Sequence, residues 1–342
     1  MRRADGTFVG RAFWSPRSVI AARVIDREEA GAPIDGEWFR ARIEAADRRR
    51  RLRDVTDAWR VVNSEGDGIS GLIVDRYAEL GVIEVGARGV FEHLGAIEDA
   101  VRSLPGIRRT IVRADPDVER IEGFSAVDRG GDDGRVVITE HGLSYHVDAR
   151  RGHKTGFFLD QREARAATAT LALGRTVLDL CCYTGGFALS AARGGAASVT
   201  AVDLDEAAIE VARANAALNG LTVAFEHADA FDFLRAGANA DLVILDPPKL
   251  AMNRRGLPAA EKKSVDLNTL ALKAVRQGGL LFTFSCTGLF PASAFERQVL
   301  AAARRAGCDV RITARTTQPD DHPVAPDFPE GRYLHGLLLE VA

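Results

Sequence analysis

The sequence predicts an α/β protein whose C-terminal half is a doubly wound parallel sheet, preceded by a smaller α+β domain. Two observations carry this. From residue 148 onward, short apolar runs alternate with helical patterns, as the strands and crossover helices of a parallel sheet do. Residues 35–147 lack that alternation and are broken by turn-rich stretches, NSEGDGISG at 63–71 and GGDDG at 130–134.

A chain of 342 residues has room for two or three domains. With 46% hydrophobic and 27% charged residues it falls in the globular range, which excludes disordered and fibrous classes. The N-terminus alternates charged, small and aromatic residues and lacks the apolar run of a signal peptide. No stretch reaches the roughly 18 consecutive apolar residues of a membrane span, so a cytoplasmic location and no membrane partner are expected. The four cysteines, Cys181, Cys182, Cys286 and Cys308, include an adjacent pair and show no CxxC spacing. Neither a metal site nor a disulfide framework is therefore expected.

The net charge of −3 does not advertise a nucleic-acid binder. Residues 1–60, however, carry 14 Lys/Arg against 10 Asp/Glu, leaving −7 for the rest. Within them Arg48, Arg49, Arg50, Arg51 and Arg53 form a dense run that either contacts phosphates or lies on a solvated helix face.

Residues 8–25 read as two short strands about a turn at Ser15 and Pro16, too little for a core alone. Asp35 to Arg53 reads as an amphipathic helix with Asp35 as its N-cap. LIVDRY and GVIEVGA follow as strands, then a helix over 91–104 and several strands over 107–147. In the second half the strands fall at 176–181, 198–203, 222–226, 241–246, 279–285, 308–315 and 333–341. Helices lie between them near 187–194, 205–219, 229–236, 260–276 and 292–306.

Ligands of open α/β sheets bind beyond the carboxyl ends of the strands. The first strand of the second half, TVLDL, runs into CCYTGGF, which places Asp179 to Gly186 at such an end. Gly185 and Gly186 would let the backbone approach a ligand closely. No GxGxxG is present, and the next strand ends in Asp203, whose carboxylate can accept from both hydroxyls of a ribose. Asp229, after the third strand, can address an adenine amino group. Three acidic residues at successive strand ends suit an adenosine bearing a sulfonium and an amino acid, although each alone could be a helix cap.

The fourth strand ends in Asp246-Pro247-Pro248-Lys249, a rigid tetrapeptide able to hold the edge of a planar base. The fifth ends in FSCTG, which sets Cys286 beside Asp246 if the two strands are neighbours. Carbon 5 of cytosine is too weak a nucleophile for a sulfonium methyl group until a thiolate has added at carbon 6, and cysteine suits that task. Cys181 and Cys182 read as packing residues, and Cys308 has no chemical role. Lysine is rare, so Lys154 and Lys249 are informative where arginine is the default cation.

GHKTGFFLDQR (152–162), YTGGFALSAARGGA (183–196), VD (202–203), LDPPK (245–249), FSCTG (284–288) and DHP (321–323) together resemble the 23S ribosomal RNA cytosine-5 methyltransferases related to large-subunit methyltransferase I. The resemblance covers essentially the whole chain. It implies a Rossmann-like class I methyltransferase domain over 148–342 with an antiparallel last strand, a central α+β RNA-binding domain over 35–147, and a truncated PUA-like segment over 1–30. The cofactor implied is S-adenosyl-L-methionine, and the partner is ribosomal RNA or an assembling ribosomal particle; a homodimer stays open. The implied catalytic residues are Cys286 as nucleophile, with Asp246 and Lys249 at the base. The implied cofactor set is Lys154, Thr155, Asp160, Arg162, Asp179, Tyr183, Thr184, Gly185, Gly186, Asp203, Leu204, Asp229, Ala230 and Asp246. Ser264 stands where the family usually has an aromatic residue, and Leu250 where it often has Phe. Two rival readings are a related enzyme acting on guanine or an exocyclic amine, and a non-catalytic assembly factor. The former needs no cysteine after the fifth strand.

Overall fold

Strands that are apolar on both faces can only be buried by covering both sides of their sheet with helices, and the C-terminal half does this. In a computed structural model, which describes residues 1–126, 131 and 133–342, it comprises α5 (Arg162–Leu171), β9 (Thr176–Leu180), α6 (Gly186–Arg193), β10 (Ser198–Asp203), α7 (Glu206–Leu218), β11 (Ala224–His227), α8 (Ala230–Arg235), β12 (Ala240–Leu245), α9 (Leu257–Ala274), β13 (Val275–Ser285), α10 (Ala292–Ala306), β14 (Val310–Thr316) and β15 (His335–Val341). The seven strands form one sheet in the order β11-β10-β9-β12-β13-β15-β14. All are parallel except β15, which runs antiparallel between β13 and β14. This is the Rossmann-like sheet with an antiparallel last strand that the family resemblance implies.

Residues alternate across β12. Val243 and Leu245 face a core closed by Leu267 and Leu272 of α9 and Phe295 and Val299 of α10. Leu242 and Ile244 face the opposite core, closed by Ala164 of α5, Phe187 and Ala188 of α6 and Ile209 of α7. The strand is therefore central in both senses, and its four apolar side chains are fully buried.

The N-terminal half comprises β1 (Arg11–Trp14), β2 (Ala22–Asp26), α1 (Gly36–Arg49), β3 (Ala58–Asn63), β4 (Leu72–Tyr77), β5 (Leu80–Val85), α2 (Arg88–Glu92), α3 (Leu94–Arg102), β6 (Arg109–Arg113), α4 (Pro116–Glu122), β7 (Arg135–Glu140) and β8 (Leu143–Asp148). Its sheet has the order β3-β4-β5-β6, and β1-β2 and β7-β8 are separate hairpins. Asp35 caps α1 as expected, accepting from the amides of Glu37 and Trp38 at 3.1 Å each.

Two expectations change. Residues 116–122 form α4 where only strands were expected; Asp115 accepts from the Asp117 amide at 2.8 Å and Pro116 starts the helix, a cap-and-proline signal at the end of a strand. The helix over 91–104 is two helices meeting at His93. The turn at 130–134 lies partly outside the described residues. The chain divides into one compact unit of Met1–Leu159 with Asp320–Gly331 and another of Asp160–Pro319 with Arg332–Ala342. Phe13 and Ile25 of the first hairpin share a core with Trp38, Phe39 and Ile43 of α1, so residues 1–30 pack as part of the first unit.

Of the arginine run, Arg48, Arg49, Arg51 and Arg53 are exposed and Arg50 is buried. Arg48 pairs with Glu44 at 3.4 Å, Arg53 with Asp47 at 2.6 Å, and Arg49 with Asp67 at 2.7 Å. Arg50 is buried, pairs with the same Asp67 and donates to the carbonyls of Arg60 at 2.8 Å and Asp321 at 3.3 Å. Asp67 also accepts from the Asn63 amide at 2.7 Å. The DHP motif joins this network from the returning segment: Asp321 accepts from the Arg60 amide at 3.0 Å, and Asn63 donates to the Pro323 carbonyl at 2.8 Å. Asp67→Ala would leave the buried Arg50 cation without its carboxylate, a change that costs about 3–5 kcal/mol. The urea midpoint of the first unit should fall accordingly, whereas Glu44→Ala, which breaks an exposed pair, should shift it by less than about 1 kcal/mol.

Candidate active site

The strand order reverses at β9, since β10 and β11 lie to one side of it and β12 and β13 to the other. A crevice opens at such a switch point, beyond the carboxyl ends of the strands. The loops after β10, β9, β12 and β13 therefore stand side by side, and they carry Asp203, Cys181–Gly185, Asp246 and Cys286.

The loop after β9 is held in an unusual shape, with φ positive at Cys181 (61°), Tyr183 (50°) and Gly185 (84°). Only the last is a residue that adopts this region freely. Three bonds brace it: the Cys182 amide to the Val202 carbonyl at 3.1 Å, the Tyr183 amide to Asp203 Oδ2 at 2.7 Å, and the Asn215 side chain to the Thr184 carbonyl at 3.0 Å. Gly186 serves packing, because a Cβ there would stand 2.9 Å from Arg165 Cδ. Burial and nearby carboxylates push both Cys181 and Cys182 thiols up, so neither is a thiolate.

Asp179 is fully buried within β9. Its Oδ2 accepts from the Ala188 amide in the first turn of α6 at 2.9 Å, while Oδ1 has no partner among the described residues. Burial, with Asp246 and Asp203 adding repulsion, raises its carboxyl to about 8 against the opposing effect of the Ala188 bond. Asp203 also accepts from the Asp205 amide at 2.9 Å, but each carboxylate oxygen can accept a second bond. Asp229 does cap a helix, accepting from the amides of Phe231 at 2.8 Å and Asp232 at 3.3 Å. Leu204 is 65% exposed after β10, and Ala230 is half-buried at the start of α8.

Across the crevice, the Asp246 amide donates to the Leu180 carbonyl at 3.3 Å, tying the proline turn to β9. The Cys286 thiol faces the Pro247 carbonyl at 3.8 Å, so the structure does bring Cys286 beside Asp246-Pro247. The Leu250 amide donates to the Thr287 hydroxyl at 3.1 Å, joining the same two loops again. Lys249 is exposed.

Two residues of this neighbourhood escaped the sequence reading. Gln161, buried at the head of α5, donates to Asp246 Oδ2 at 2.9 Å. Tyr333 donates to the buried Asp160 at 2.7 Å and packs on Gly288, where a Cβ would stand 3.2 Å from the Tyr333 Cβ. Gln161 lies inside GHKTGFFLDQR and was legible there; Tyr333 has no signal beyond standing before the last strand. Arg162 is fully buried, and its Nε donates to Glu163 at 3.1 Å. Lys154 and Thr155 belong to the first unit. Lys154 is exposed with Nζ 4.6 Å from the Phe158 ring centre, and Thr155 is buried, bonding Asp75 and the Tyr77 hydroxyl.

This fold and crevice define the class of S-adenosylmethionine-dependent methyltransferases, and the family model of that description matches residues 125–326. The chain is 38% identical over 356 residues to ribosomal RNA large subunit methyltransferase I of Shewanella denitrificans, covering 98% of this chain and 88% of that one. It is 39% identical over 352 residues to the protein of the same name from Alteromonas mediterranea, with the same coverage. The chain belongs to the family of these ribosomal RNA large subunit methyltransferase I proteins. A solved structure described as a methyltransferase complexed with SAH shares the fold, with a TM-score of 0.86 at 24% identity over 99% of this chain and 90% of that one. No helix among the described residues is long and apolar enough to cross a membrane.

S-adenosylmethionine is the cofactor of this family, and the site fits it. The buried, half-satisfied carboxyl of Asp179 lacks a donor that an ammonium group can supply. Without ligand, folded Asp179 holds its proton to about pH 8, whereas the unfolded chain releases it near 3.8. The stabilisation is thus complete below about pH 4 and is lost as pH rises through about 8. In ligand-free protein, Asp179→Asn should flatten the decline of the urea midpoint between those limits.

Proposed function

We propose that this methyltransferase acts on a cytosine of large-subunit ribosomal RNA and transfers the methyl group to carbon 5 through a covalent Cys286 adduct. The observation that carries the reading is the Cys286 thiol against the Pro247 carbonyl at 3.8 Å, one residue from Asp246, at the ends of adjacent strands. The RNA substrate is inferred from the full-length likeness to large subunit methyltransferase I proteins.

When bound, S-adenosylmethionine supplies an electrophilic sulfonium methyl group. Asp203 is the candidate for the ribose hydroxyls, Asp179 for the amino group, and Asp229 for the adenine amino group, with Leu204 and Ala230 beside it. The target base must be unstacked before it can enter the crevice. Asp246, oriented by Gln161, holds its polar edge. The Cys286 thiol gives its proton to a base, and the thiolate adds to carbon 6, which shifts the carbon 5–carbon 6 electron pair toward carbon 5 and makes it nucleophilic. After methylation the carbon-5 proton leaves to a base, the double bond re-forms and the thiolate departs with its electron pair. A guanine or exocyclic amine already presents a nucleophilic nitrogen and has no use for such a thiol.

Cys286→Ala should bind S-adenosylmethionine as the unchanged protein does and lose at least about a hundredfold in turnover on unmodified ribosomal RNA. Nucleoside mass spectrometry should find 5-methylcytidine with the wild type alone; a methylguanosine product would overturn the assignment. Asp203→Ala should weaken cofactor affinity by about tenfold or more in calorimetry, because it removes the ribose acceptor and the brace on the Tyr183 amide together.

A further inference from the structure

Four of the five cations of the first unit's arginine run, Arg48, Arg49, Arg50 and Arg53, are held in ion pairs, whereas those of the loop after the proline turn are not. Residues 249–263, KLAMNRRGLPAAEKK, carry five Lys/Arg and one Asp/Glu, a charge of +4 in a chain of net −3. Arg254, Arg255, Lys262 and Lys263 are exposed, and among the described residues none forms an ion pair. Met252, beside them, is 79% exposed.

This segment is not a loose tail. Asn253 accepts from the amides of Arg255 at 3.1 Å and Gly256 at 3.2 Å, which turns the chain into α9. Beneath it, Ala251 and Ala260 pack with Phe290, flanked by Leu250, Leu257 and Leu289. Phe290 belongs to the loop that carries Cys286, so one small core fixes the cationic segment to both loops of the candidate active site. Lys262 and Lys263 follow one turn beyond on α9, and Lys263 also lies over the Phe231 ring at 5.8 Å.

We propose that Arg254, Arg255, Lys262 and Lys263 form the track for the RNA strand flanking the target base, binding the phosphates of a single-stranded stretch while Met252 meets an unstacked neighbouring base. The inference rests on the reading of the substrate as RNA. Single-stranded RNA suits the lip because a base entering the crevice is already out of its stack, and its backbone has to pass the rim on which these cations stand. Their density is what a phosphate track requires, and the nearest acidic side chain of the segment, Glu261, offsets only one of them.

The test uses the full chain and unmodified in-vitro transcribed large-subunit ribosomal RNA. In a fourfold variant, Arg254→Gln, Arg255→Gln, Lys262→Gln and Lys263→Gln, the slope of log affinity against log salt should flatten by about 0.7 for each phosphate that is no longer neutralised. KM for RNA should rise about tenfold or more, with kcat at saturating RNA and S-adenosylmethionine affinity unchanged. A control pair on α10, Arg297→Gln and Arg304→Gln, should leave the slope in place. The Lys262→Gln, Lys263→Gln pair alone gives the same reading should the fourfold variant fail to fold. An unchanged slope, or an equal flattening in the control, overturns the track while wild-type methylation stands. A wild type that binds S-adenosylmethionine but neither binds nor methylates the RNA overturns the substrate reading and the track together.

Discussion

The register of β9, β12 and β13 determines where every candidate side chain of the second unit stands. Leu180 of β9 is level with Leu245 of β12, which is level with Thr283 of β13, so the three strands end nearly flush and Asp246 and Cys286 emerge on one rim. A slip of one residue would exchange the faces of Val243 and Ile244 and turn Asp179 from one core to the other. The apolar residues of these strands hold that register from both sides, and burial of each large aliphatic side chain is worth about 1.5–3 kcal/mol. The chemistry of the rim is thus guaranteed by packing well below it.

Within that frame the crevice carries an excess of negative charge. Asp203 and Asp246 both repel the buried Asp179, and the α6 N-terminal amide that bonds it does not prevent its carboxyl from rising to about 8. Burial and repulsion outweigh one hydrogen bond and the favourable end of a helix dipole. A cationic ligand reverses this balance, which is why a sulfonium amino acid suits the pocket better than an anionic dinucleotide. The strained backbone at Cys181 and Tyr183, worth about 1–3 kcal/mol each, is tolerated because Asp203, Val202 and Asn215 brace that loop from neighbouring elements.

The doubly wound half was legible because its strands and helices have different periods, and a period survives ignorance of the partner. The first half was less so. α4 hid behind the expectation of further strands although Asp115-Pro116 marked its start. The partners of the arginine run were not legible, because sequence adjacency shows charge but not the distant carboxylate, and Asp67 lies 17 residues from Arg50. In the candidate site, Asp203 and Cys286 could be read from strand ends, since the position implies the direction. The bonds of Gln161 to Asp246 and of Tyr333 to Asp160 are assembled only by the folded chain, although Gln161 lies inside a motif the sequence singles out. Asp229 is the instructive ambiguity: the capping role expected of an acidic residue in that place is present, and capping leaves its second oxygen available to a ligand.

The use of two kinds of cation follows from geometry. At two places an arginine fork meets a carboxylate in a defined plane: Arg60 reaches Asp75 through two bonds of 2.8 Å, and Arg315 reaches Glu296 at 2.9 and 3.0 Å. Such bidentate pairs fix the cation and remove it from any external anion. Lysine is a mobile point charge on a long stem, and two of the chain's five stand adjacent on α9 with no carboxylate partner among the described residues. A protein of net negative charge that must hold a polyanion cannot rely on its mean potential. It needs a local surface on which cations outnumber carboxylates, and residues 249–263, with five Lys/Arg to one Asp/Glu, meet that condition beside the loops that carry Asp246 and Cys286.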